Sequence, residues 1–371
     1  MNTSTAEPHN TTEVAHPVTW LLASHNIGDN NQTLALTEAL GWSYETKSIV
    51  RRKNRLISKL VYNQLLGITL TGINRSRSSQ LTPPWPDLVI SASRTNEMVA
   101  RWIGKMSDGH TRLVHLGCPK GPLNAFDLII TTPQHSLPER KNILAIELPL
   151  HRVSRDRLQK AAAKWRPKLS HLKRPYTVVL VGGNFGKFVL SREVASRLGR
   201  LVNTLSLTSG GSVLITNSAR TPPVAYNELV RQLIGPIHVY HWNNSADDNP
   251  FYGYLALADQ LVVTAESTSM LVEASATGKP LFMFELGNDQ CDRRSPGKGK
   301  RTGYLRWITK HFKPKRFKRD IGKIYQLLIS HGHASWLVEP LPANKPSEAS
   351  STIISCDLQR AVARVRQLFH E

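Results

Sequence analysis

Cysteine is scarce in this chain, and long runs of apolar residues are absent. The 371 residues include three cysteines, Cys118, Cys291 and Cys356. They are too widely spaced for a CxxC or Cys/His zinc motif or for a disulfide framework. No stretch approaches the roughly 18 apolar residues that a transmembrane helix needs. We therefore expect a cytoplasmic protein of a reducing compartment, either soluble or peripheral on the inner face of a membrane.

Acidic residues are also few. The chain has 27 Asp and Glu against 48 Lys and Arg, which gives a formal net charge of +21. A surface with this excess attracts phosphate in some form, so nucleotides, anionic lipids and nucleic acids are the partner classes to consider. The hydrophobic content of 40% is enough for one large or two ordinary cores and excludes a fibrous or largely disordered chain.

Short apolar strands alternate with helical segments in both halves of the chain. In the first half, a buried strand at residues 18–23 is followed by a polar loop at 25–31 and by a helix that Gly41 ends. In the second half, a strand at 176–181 runs into Gly182-Gly183. Because this alternation builds parallel sheets, we predict an α/β protein with two Rossmann-like domains, followed by a C-terminal helix.

Composition also predicts the domain boundaries. The polar start has no apolar run and so does not resemble a signal peptide, and a Pro-, Asn- and Ser-rich stretch indicates a linker before an amphipathic helix that Asp357 is expected to cap. The predicted parts are a disordered tail at 1–16, a first domain at 17–165, a second domain at 174–339, a linker at 340–354 and the helix at 355–371.

Residues 261–281 carry the strongest binding-site pattern. They read LVVTAESTSMLVEASATGKPL, in which a buried strand leads into small hydroxyl residues at a helix start. The unpaired amides and partial positive charge of a helix N-terminus allow Ser267, Thr268 and Ser269 to hold a diphosphate. Glu273 lies one turn further on the same face, where its carboxylate could accept hydrogen bonds from ribose hydroxyls. The structural alternative is that Ser267 merely caps the helix while Glu273 faces solvent.

Two other loops follow strands of the same domain. Gly182 and Gly183 allow the backbone to approach a ligand at the sheet edge, but they do not form the GxGxxG fingerprint of dinucleotide enzymes. Arg220, after another strand, can neutralise phosphate. The predicted nucleotide-sugar site comprises Gly182, Gly183, Asn184, Asn217, Arg220, Glu266, Ser267, Thr268, Ser269, Met270 and Glu273.

The first domain also offers candidates for a general base, a group that takes a proton from a reacting hydroxyl. His25 and Asp29, in the loop after the first strand, are the candidates, and helix capping is the structural alternative for Asp29. We predict neither a metal nor a permanently bound cofactor. The nucleotide-diphosphate sugar is expected as a substrate.

A basic segment at residues 293–319 contains twelve Lys and Arg residues and no acid, interleaved with Trp307, Phe312 and Phe317. Cations and aromatic side chains in this combination favour an anionic membrane surface, which could carry a lipid-linked acceptor. A solvated basic loop is the structural alternative. Nucleic-acid binding is a further alternative that we rank below lipid.

Short motifs in both halves resemble a known family. They are Gly28-Asp29-Asn30-Asn31-Gln32, Ser93-Arg94-Thr95, His115-Leu116-Gly117, Phe126-Asp127-Leu128-Ile129, Thr132-Pro133-Gln134, Pro149-Leu150-His151-Arg152, Gly182-Gly183, Thr216-Asn217-Ser218-Ala219-Arg220-Thr221, Asn249-Pro250-Phe251, Ala265-Glu266-Ser267-Thr268-Ser269-Met270, Glu273-Ala274 and Thr277-Gly278-Lys279-Pro280. In order and spacing they resemble the plant "elongated mitochondria" fission-factor family and its bacterial homologues, which is itself similar to the GT-B glycosyltransferases. The resemblance implies that the two domains face a cleft, with a sugar donor on the second domain and an acceptor on the first. It also implies that the catalytic groups lie on loops of the first domain.

The resemblance implies two functions of different kinds. One is a glycosyltransferase that moves a sugar from a nucleotide diphosphate to a membrane glycolipid or an envelope polysaccharide. In support, residues 266–280 are similar to the donor site of the bacterial N-acetylglucosaminyltransferase that completes the lipid-linked peptidoglycan precursor. The alternative is a non-catalytic adaptor of the mitochondrial-fission type, which recruits a dynamin-like GTPase to a membrane.

Overall fold

Two six-stranded parallel sheets form the framework of the protein, which is described here from a computed structural model. The structure describes residues 16–52, 68–243, 248–288, 319–340 and 352–370. Most of the predicted tail, basic segment and linker lie outside these residues. Among the helices that are described, none is long and apolar enough to cross a membrane.

The first sheet has the strand order β2-β1-β3-β4-β5-β6. Its elements are β1 (Thr19–Ala23), α1 (Ile27–Leu40), β2 (Tyr44–Ser48), β3 (Leu88–Ala92), α2 (Ser93–Met106), β4 (Arg112–Leu116), β5 (Leu128–Thr131) and β6 (Ile143–Ala145). The chain leaves β1 for β2 and then returns to place β3 on the other side of β1. Strands β1 and β3 therefore form a topological switch point, the place where open α/β sheets bind ligands.

The second sheet has the same kind of topology. Its strand order is β10-β9-β7-β11-β12-β14, and its switch point lies between β7 and β11. After α3 (Arg155–Trp165), the elements of this half of the chain are β7 (Tyr176–Val181), β8 (Phe188–Val189), α4 (Arg192–Ser209), β9 (Ser212–Asn217), α5 (Pro223–Gln232), β10 (Ile237–Tyr240), α6 (Phe251–Leu257), β11 (Gln260–Thr264), α7 (Thr268–Ser275), β12 (Leu281–Phe284), β13 (Gly287–Asn288), α8 (Gly322–Ser330) and β14 (Ser335–Trp336). Short strands β8 and β13 pair antiparallel outside the sheet.

Burial on both faces explains the apolar runs of the central strands. Every residue of β3, β7 and β11 is buried, as is typical of parallel strands covered by helices on both sides. Trp165, at the end of α3, packs into the second core. It lies so close to Gly253 of α6 that a Cβ there would overlap its ring, which anchors α3 to the second sheet.

A C-terminal helix, α9 (Thr352–Gln367), returns the chain to the first sheet. Its Ala361 and Val365 are fully buried in the first core beside Leu36 and Leu40 of α1. The predicted C-terminal helix is thus confirmed, although it begins inside the predicted linker. The last helix of the chain therefore packs against the first sheet, although it follows the second sheet in sequence.

The prediction that Asp357 caps this helix is wrong. Asp357 lies inside α9 and is buried, and its Oδ2 accepts hydrogen bonds from the amides of Glu147 at 2.7 Å and Leu148 at 3.4 Å. Arg360 donates to its Oδ1 at 2.9 Å. The carboxylate therefore accepts hydrogen bonds from the loop after β6, and not from the amides at the start of its own helix.

The loop predicted at residues 25–31 is also wrong, because α1 already begins at Ile27. Asn30 explains the shorter loop. Its side chain accepts from the amide of Ser24 at 2.9 Å and donates to the carbonyl of Ser24 at 2.7 Å. These two bonds turn the chain directly from β1 into the helix, and Gly41 ends it in the left-handed conformation, as predicted.

Removal of the Asp357 carboxylate should destabilise the protein. Asp357→Ala leaves the part-buried amide of Glu147 and the buried amide of Leu148 without this acceptor, so we expect a loss of about 2 kcal/mol in the free energy of unfolding. Urea denaturation of the full chain measures it. The matched control is Asp156→Ala, which removes an exposed pair with Lys160 and should change stability by less than about 0.5 kcal/mol. Equal effects of both substitutions would contradict the assignment.

Candidate functional site

The carboxyl edges of the two sheets face each other across a cleft. Helix α1 starts after β1 and α7 starts after β11, and the first turns of these helices touch. A Cβ added to Gly28 of α1 would lie 2.7 Å from the Oγ of Ser269 in α7. The two switch points therefore face one another, which agrees with the cleft between two domains that the resemblance implies.

Glycine is required where β7 ends. The amide of Gly183 donates to Glu266 Oε1 at 2.6 Å, and a Cβ on Gly182 would overlap that same oxygen. Gly183 has a φ of +121°, and a side chain there would overlap the backbone of Arg220. The predicted loops after β7, β9 and β11 are therefore brought into direct contact.

Glu266 is a buried carboxyl group beneath these loops. It is 2% exposed, and its Oε2 has no hydrogen-bond partner within the described part of the chain. Burial raises the pKa of Glu266 to about 7, against the opposing effect of Arg220, whose Nη2 lies 3.9 Å from Oε1. Near neutral pH this group is only partly ionised, so it tolerates an anion more readily than an ordinary glutamate would.

Two guanidinium groups meet at the mouth of this site. Arg220 and Arg319 lie 5.3 Å and 5.2 Å from the centre of the same Phe185 ring. Arg319 also donates to Thr268 Oγ1 at 2.8 Å and to Gln134 Oε1 at 2.7 Å. It therefore connects the start of α7 with the loop after β5 of the first sheet.

Glu273 faces the first domain, not solvent. It is 3% exposed, and its Oε1 accepts hydrogen bonds from Asn31 Nδ2 at 3.1 Å and from the Tyr252 hydroxyl at 3.4 Å. Burial raises the pKa of Glu273 to about 7. Ser267 makes no side-chain capping bond at the start of α7. The alternative of a simple capped helix with a solvent-facing Glu273 is wrong on both points.

Other predicted site residues hold the loops in place. Asn184 Oδ1 accepts from the amide of Leu190 at 2.9 Å, and Asn217 Oδ1 accepts from the amide of Trp242 at 2.7 Å. Met270, in the first turn of α7, packs against the second core. Their structural roles are clear, while their contact with a ligand stays a prediction.

The two candidates for the base lie at the start of α1. Asp29 accepts a hydrogen bond from Asn26 Nδ2 at 2.8 Å. Burial raises its pKa, while Arg319, Asn26 and His25 act in the opposite direction. Asp29 lies in the first turn of α1, the turn that contacts α7 of the second half through Gly28 and Ser269. His25 is exposed in the loop before α1.

Sequence reasoning missed the residues that join the two halves. Asn31 and Gln134 belong to motifs that carry the family resemblance, and Arg319 is the last cation of the predicted basic segment, but none was assigned to the site. Each acts across the cleft on a residue more than 50 positions away. The resemblance motifs were the available signal for Asn31 and Gln134.

A family model described as Mitochondrial fission ELM1 matches residues 27–318. The chain belongs to this family. It is 30% identical over 230 residues to "Mitochondrial fission protein ELM1" of Arabidopsis thaliana, a match that covers 56% of this chain and 52% of the relative. The chain thus spans about half the length of that protein. It is also 25% identical over 298 residues to "Uncharacterized protein RP120" of Rickettsia prowazekii, with 71% and 82% of the two chains covered.

Solved structures show a low similarity to this chain, at low sequence identity. A glycosyltransferase from Rickettsia africae is 10% identical with a TM-score of 0.43, and 94% of this chain and 98% of that chain are covered. A UDP-GlcNAc 2-epimerase from Neisseria meningitidis, bound to UDP-GlcNAc, is 11% identical with a TM-score of 0.46, and the coverage is 94% and 100%. Similarities of this size do not transfer a substrate to this chain.

Ionisation of Glu273 should oppose folding. Its pKa is about 7 in the folded protein and about 4.3 in an unfolded chain. The folded state therefore binds the proton more tightly, and the wild type loses stability as the pH rises between these values. Glutamine does not titrate. The measurement is the free energy of unfolding of Glu273→Gln and of the wild type, by urea denaturation at pH 5 and at pH 8. From pH 5 to pH 8, we expect the difference between the two proteins to change by at least about 1 kcal/mol in favour of Glu273→Gln.

The comparison with the wild type removes the contribution of buried histidines such as His115, whose pKa burial lowers to about 3 and whose effect has the opposite sign. Glu139→Gln, at an exposed position, is the matched control and should show no such change with pH. A Glu273→Gln difference that is the same at both pH values would contradict the burial of an ionisable group there.

Proposed function

We propose that the cleft binds a nucleotide-diphosphate sugar on the second domain and transfers the sugar to an acceptor on the first, as a GT-B-type glycosyltransferase. The observation that carries this proposal is the convergence of Arg220 and Arg319 on the Phe185 ring at the start of α7. Two permanently charged groups and a positive helix end attract a multiply charged anion. A diphosphate supplies that charge.

The absence of side chains at Gly182 and Gly183 lets the loops after β9 and β11 pack against the end of β7, which brings Arg220 close to the start of α7, where the diphosphate would bind. Glu266 lies underneath and is only partly ionised near pH 7. An anion above it favours the protonated form further. The site therefore gains a hydrogen-bond donor as the phosphates arrive, instead of repelling them.

Glu273 is suited to the ribose. In the structure its carboxylate accepts from two neutral donors, the Asn31 amide and the Tyr252 hydroxyl, and ribose hydroxyls are donors of the same kind. Ribose binding through Oε1 requires Asn31 to be displaced. The nucleotide therefore competes with a contact between the domains, so the cleft must open to admit it.

Asp29 is the group we assign as the base. It would remove the proton from the acceptor hydroxyl, whose oxygen forms a bond to the anomeric carbon as the bond from that carbon to the diphosphate breaks. Arg220 and Arg319 would stabilise the charge on the departing diphosphate. The acceptor we propose is a membrane glycolipid or an envelope polysaccharide, reached from the cytoplasmic face through the basic surface of the protein.

Loss of either guanidinium should weaken donor binding. We expect Arg220→Gln and Arg319→Gln each to raise the Kd of the bound nucleotide sugar by about tenfold. The measurement is a thermal-shift and calorimetric screen of UDP-, GDP-, CMP- and ADP-sugars. Arg231→Gln, at an exposed position of α5, is the control and should leave the Kd unchanged. If no member of the panel shifts the wild type, the proposal fails.

Asp29→Asn should separate binding from chemistry. The amide keeps the size of the side chain but cannot take a proton, so transfer should fall by about 100-fold or more while the Kd of the donor stays within a few-fold. Asn26→Ala, which removes only the hydrogen bond to Asp29, should have a smaller effect. Full transfer activity of Asp29→Asn would remove Asp29 as the base and leave His25 as the candidate.

Family membership favours a second function, that of a non-catalytic adaptor which brings a dynamin-like GTPase to a membrane. The basis is the Arabidopsis relative, whose name describes a mitochondrial fission protein. Pull-down of a dynamin-like GTPase separates the two functions. Capture that survives Ser269→Ala and Glu273→Ala, with no response to nucleotide sugars, would favour the adaptor.

A further inference from the structure

The switch point of the first sheet has an unusual backbone entry into α2. Ser93, the residue that follows β3, has a φ of +70°, in the left-handed region that non-glycine residues seldom adopt. Strain of this kind persists where the surroundings hold it, and it is frequent at ligand sites. Ser93 is not among the residues that the donor site uses.

Buried polar atoms without partners lie at the same place. Asn96 is 1% exposed, and its Nδ2 donates to the carbonyl of Leu22 at 2.6 Å. This bond fixes the side-chain amide across the switch point, against the carboxyl end of β1. Asn96 Oδ1 and Ser93 Oγ are both buried and have no hydrogen-bond partner in the described part of the chain. Buried polar atoms normally have a hydrogen-bond partner, so we expect a ligand to supply one for each of these two atoms.

The start of α2 is also suited to an anion. The residue before it, Ala92, has no side chain that could cap the helix, and no acidic residue lies in the first turn. Arg94 is exposed there instead. A cation at the positive end of a 14-residue helix is unfavourable unless an anion lies beside it.

We propose that this switch point binds a phosphorylated polyol, such as a sugar phosphate. The phosphate accepts from the first amides of α2, from Arg94 and from Ser93 Oγ, while a hydroxyl of the ligand donates to Asn96 Oδ1. The proposal rests on the proposed function, because such a ligand, facing the donor across the cleft, is the acceptor. A phosphate attached to a ring with several hydroxyls occurs both in a free sugar phosphate and in the headgroup of an inositol phospholipid.

Ser93→Gly provides a sharp test because it separates strain from binding. Glycine adopts a positive φ freely, so the variant should melt at the same or a higher temperature than the wild type. Without the hydroxyl, its Kd for glucose 1-phosphate should rise by about tenfold. Ser93→Ala should weaken binding equally, but it should melt at a lower temperature than Ser93→Gly, because alanine keeps the strain of the positive φ. A purely structural Ser93 predicts unchanged binding in both variants and would overturn the proposal.

Calorimetric titration of the full chain uses glucose 1-phosphate and inorganic phosphate as probes. We expect glucose 1-phosphate to bind at least about tenfold more tightly, because only it reaches Asn96. Equal affinities would overturn the role of the hydroxyl. Vesicles that contain phosphatidylinositol or phosphatidylserine at equal charge identify the source. A preference for phosphatidylinositol that Ser93→Gly removes assigns the ligand to a lipid, and binding of the free sugar phosphate alone assigns it to a soluble one.

The same titrations on Arg220→Gln distinguish failure of this proposal from failure of the donor site. That variant should lose nucleotide-sugar affinity and keep its affinity for glucose 1-phosphate, whereas Ser93→Gly should do the reverse. Loss of glucose 1-phosphate binding in Arg220→Gln but not in Ser93→Gly would place the sugar phosphate on the donor side and overturn the proposal.

Discussion

Two helices point their positive ends at each other across one cleft, and the rest of the site depends on this arrangement. Gly28 of α1 and Ser269 of α7 are in contact, and each helix start carries about half a positive charge. Arg220 and Arg319 add two full charges. Glu266 and Glu273 carry only part of a negative charge each near neutral pH, because burial raises the pKa of both to about 7. The cleft therefore keeps a positive balance that an anionic ligand would satisfy.

Polar contacts between described residues join the domains at this cleft. Asn31 donates to Glu273 at 3.1 Å, and Arg319 joins Gln134 to Thr268. Further from the cleft, Glu38 of α1 pairs with Arg152 and Arg157 at the start of the second half. A polar interface of this kind permits relative motion of domains. The contacts at the cleft can exchange for a ligand while the pairs at Glu38 and the helix α9 keep the domains connected.

The sequence was informative wherever one strand or one turn determines the structure. Strand β7 and the glycines after it were predicted correctly, because an apolar run and a tight approach leave marks in neighbouring residues. Strand β2 was missed, since its residues Tyr44–Ser48 are mostly exposed and lack an apolar run. The contacts of Asn31 and Arg319 could not be predicted, because they depend on how the two sheets face each other. The burial of Glu273 against Asn31 depends on the same arrangement.

The most direct test is hydrogen exchange of the full chain with and without the nucleotide sugar that gives the largest thermal shift. The account predicts slower exchange of the amides of 268–270 at the start of α7, because a helix leaves its first amides unpaired and a bound diphosphate would accept from them. It also predicts no protection in the same peptides of Arg220→Gln at that ligand concentration. Protection elsewhere, or none at these amides despite measurable binding, would contradict a donor site at the second switch point.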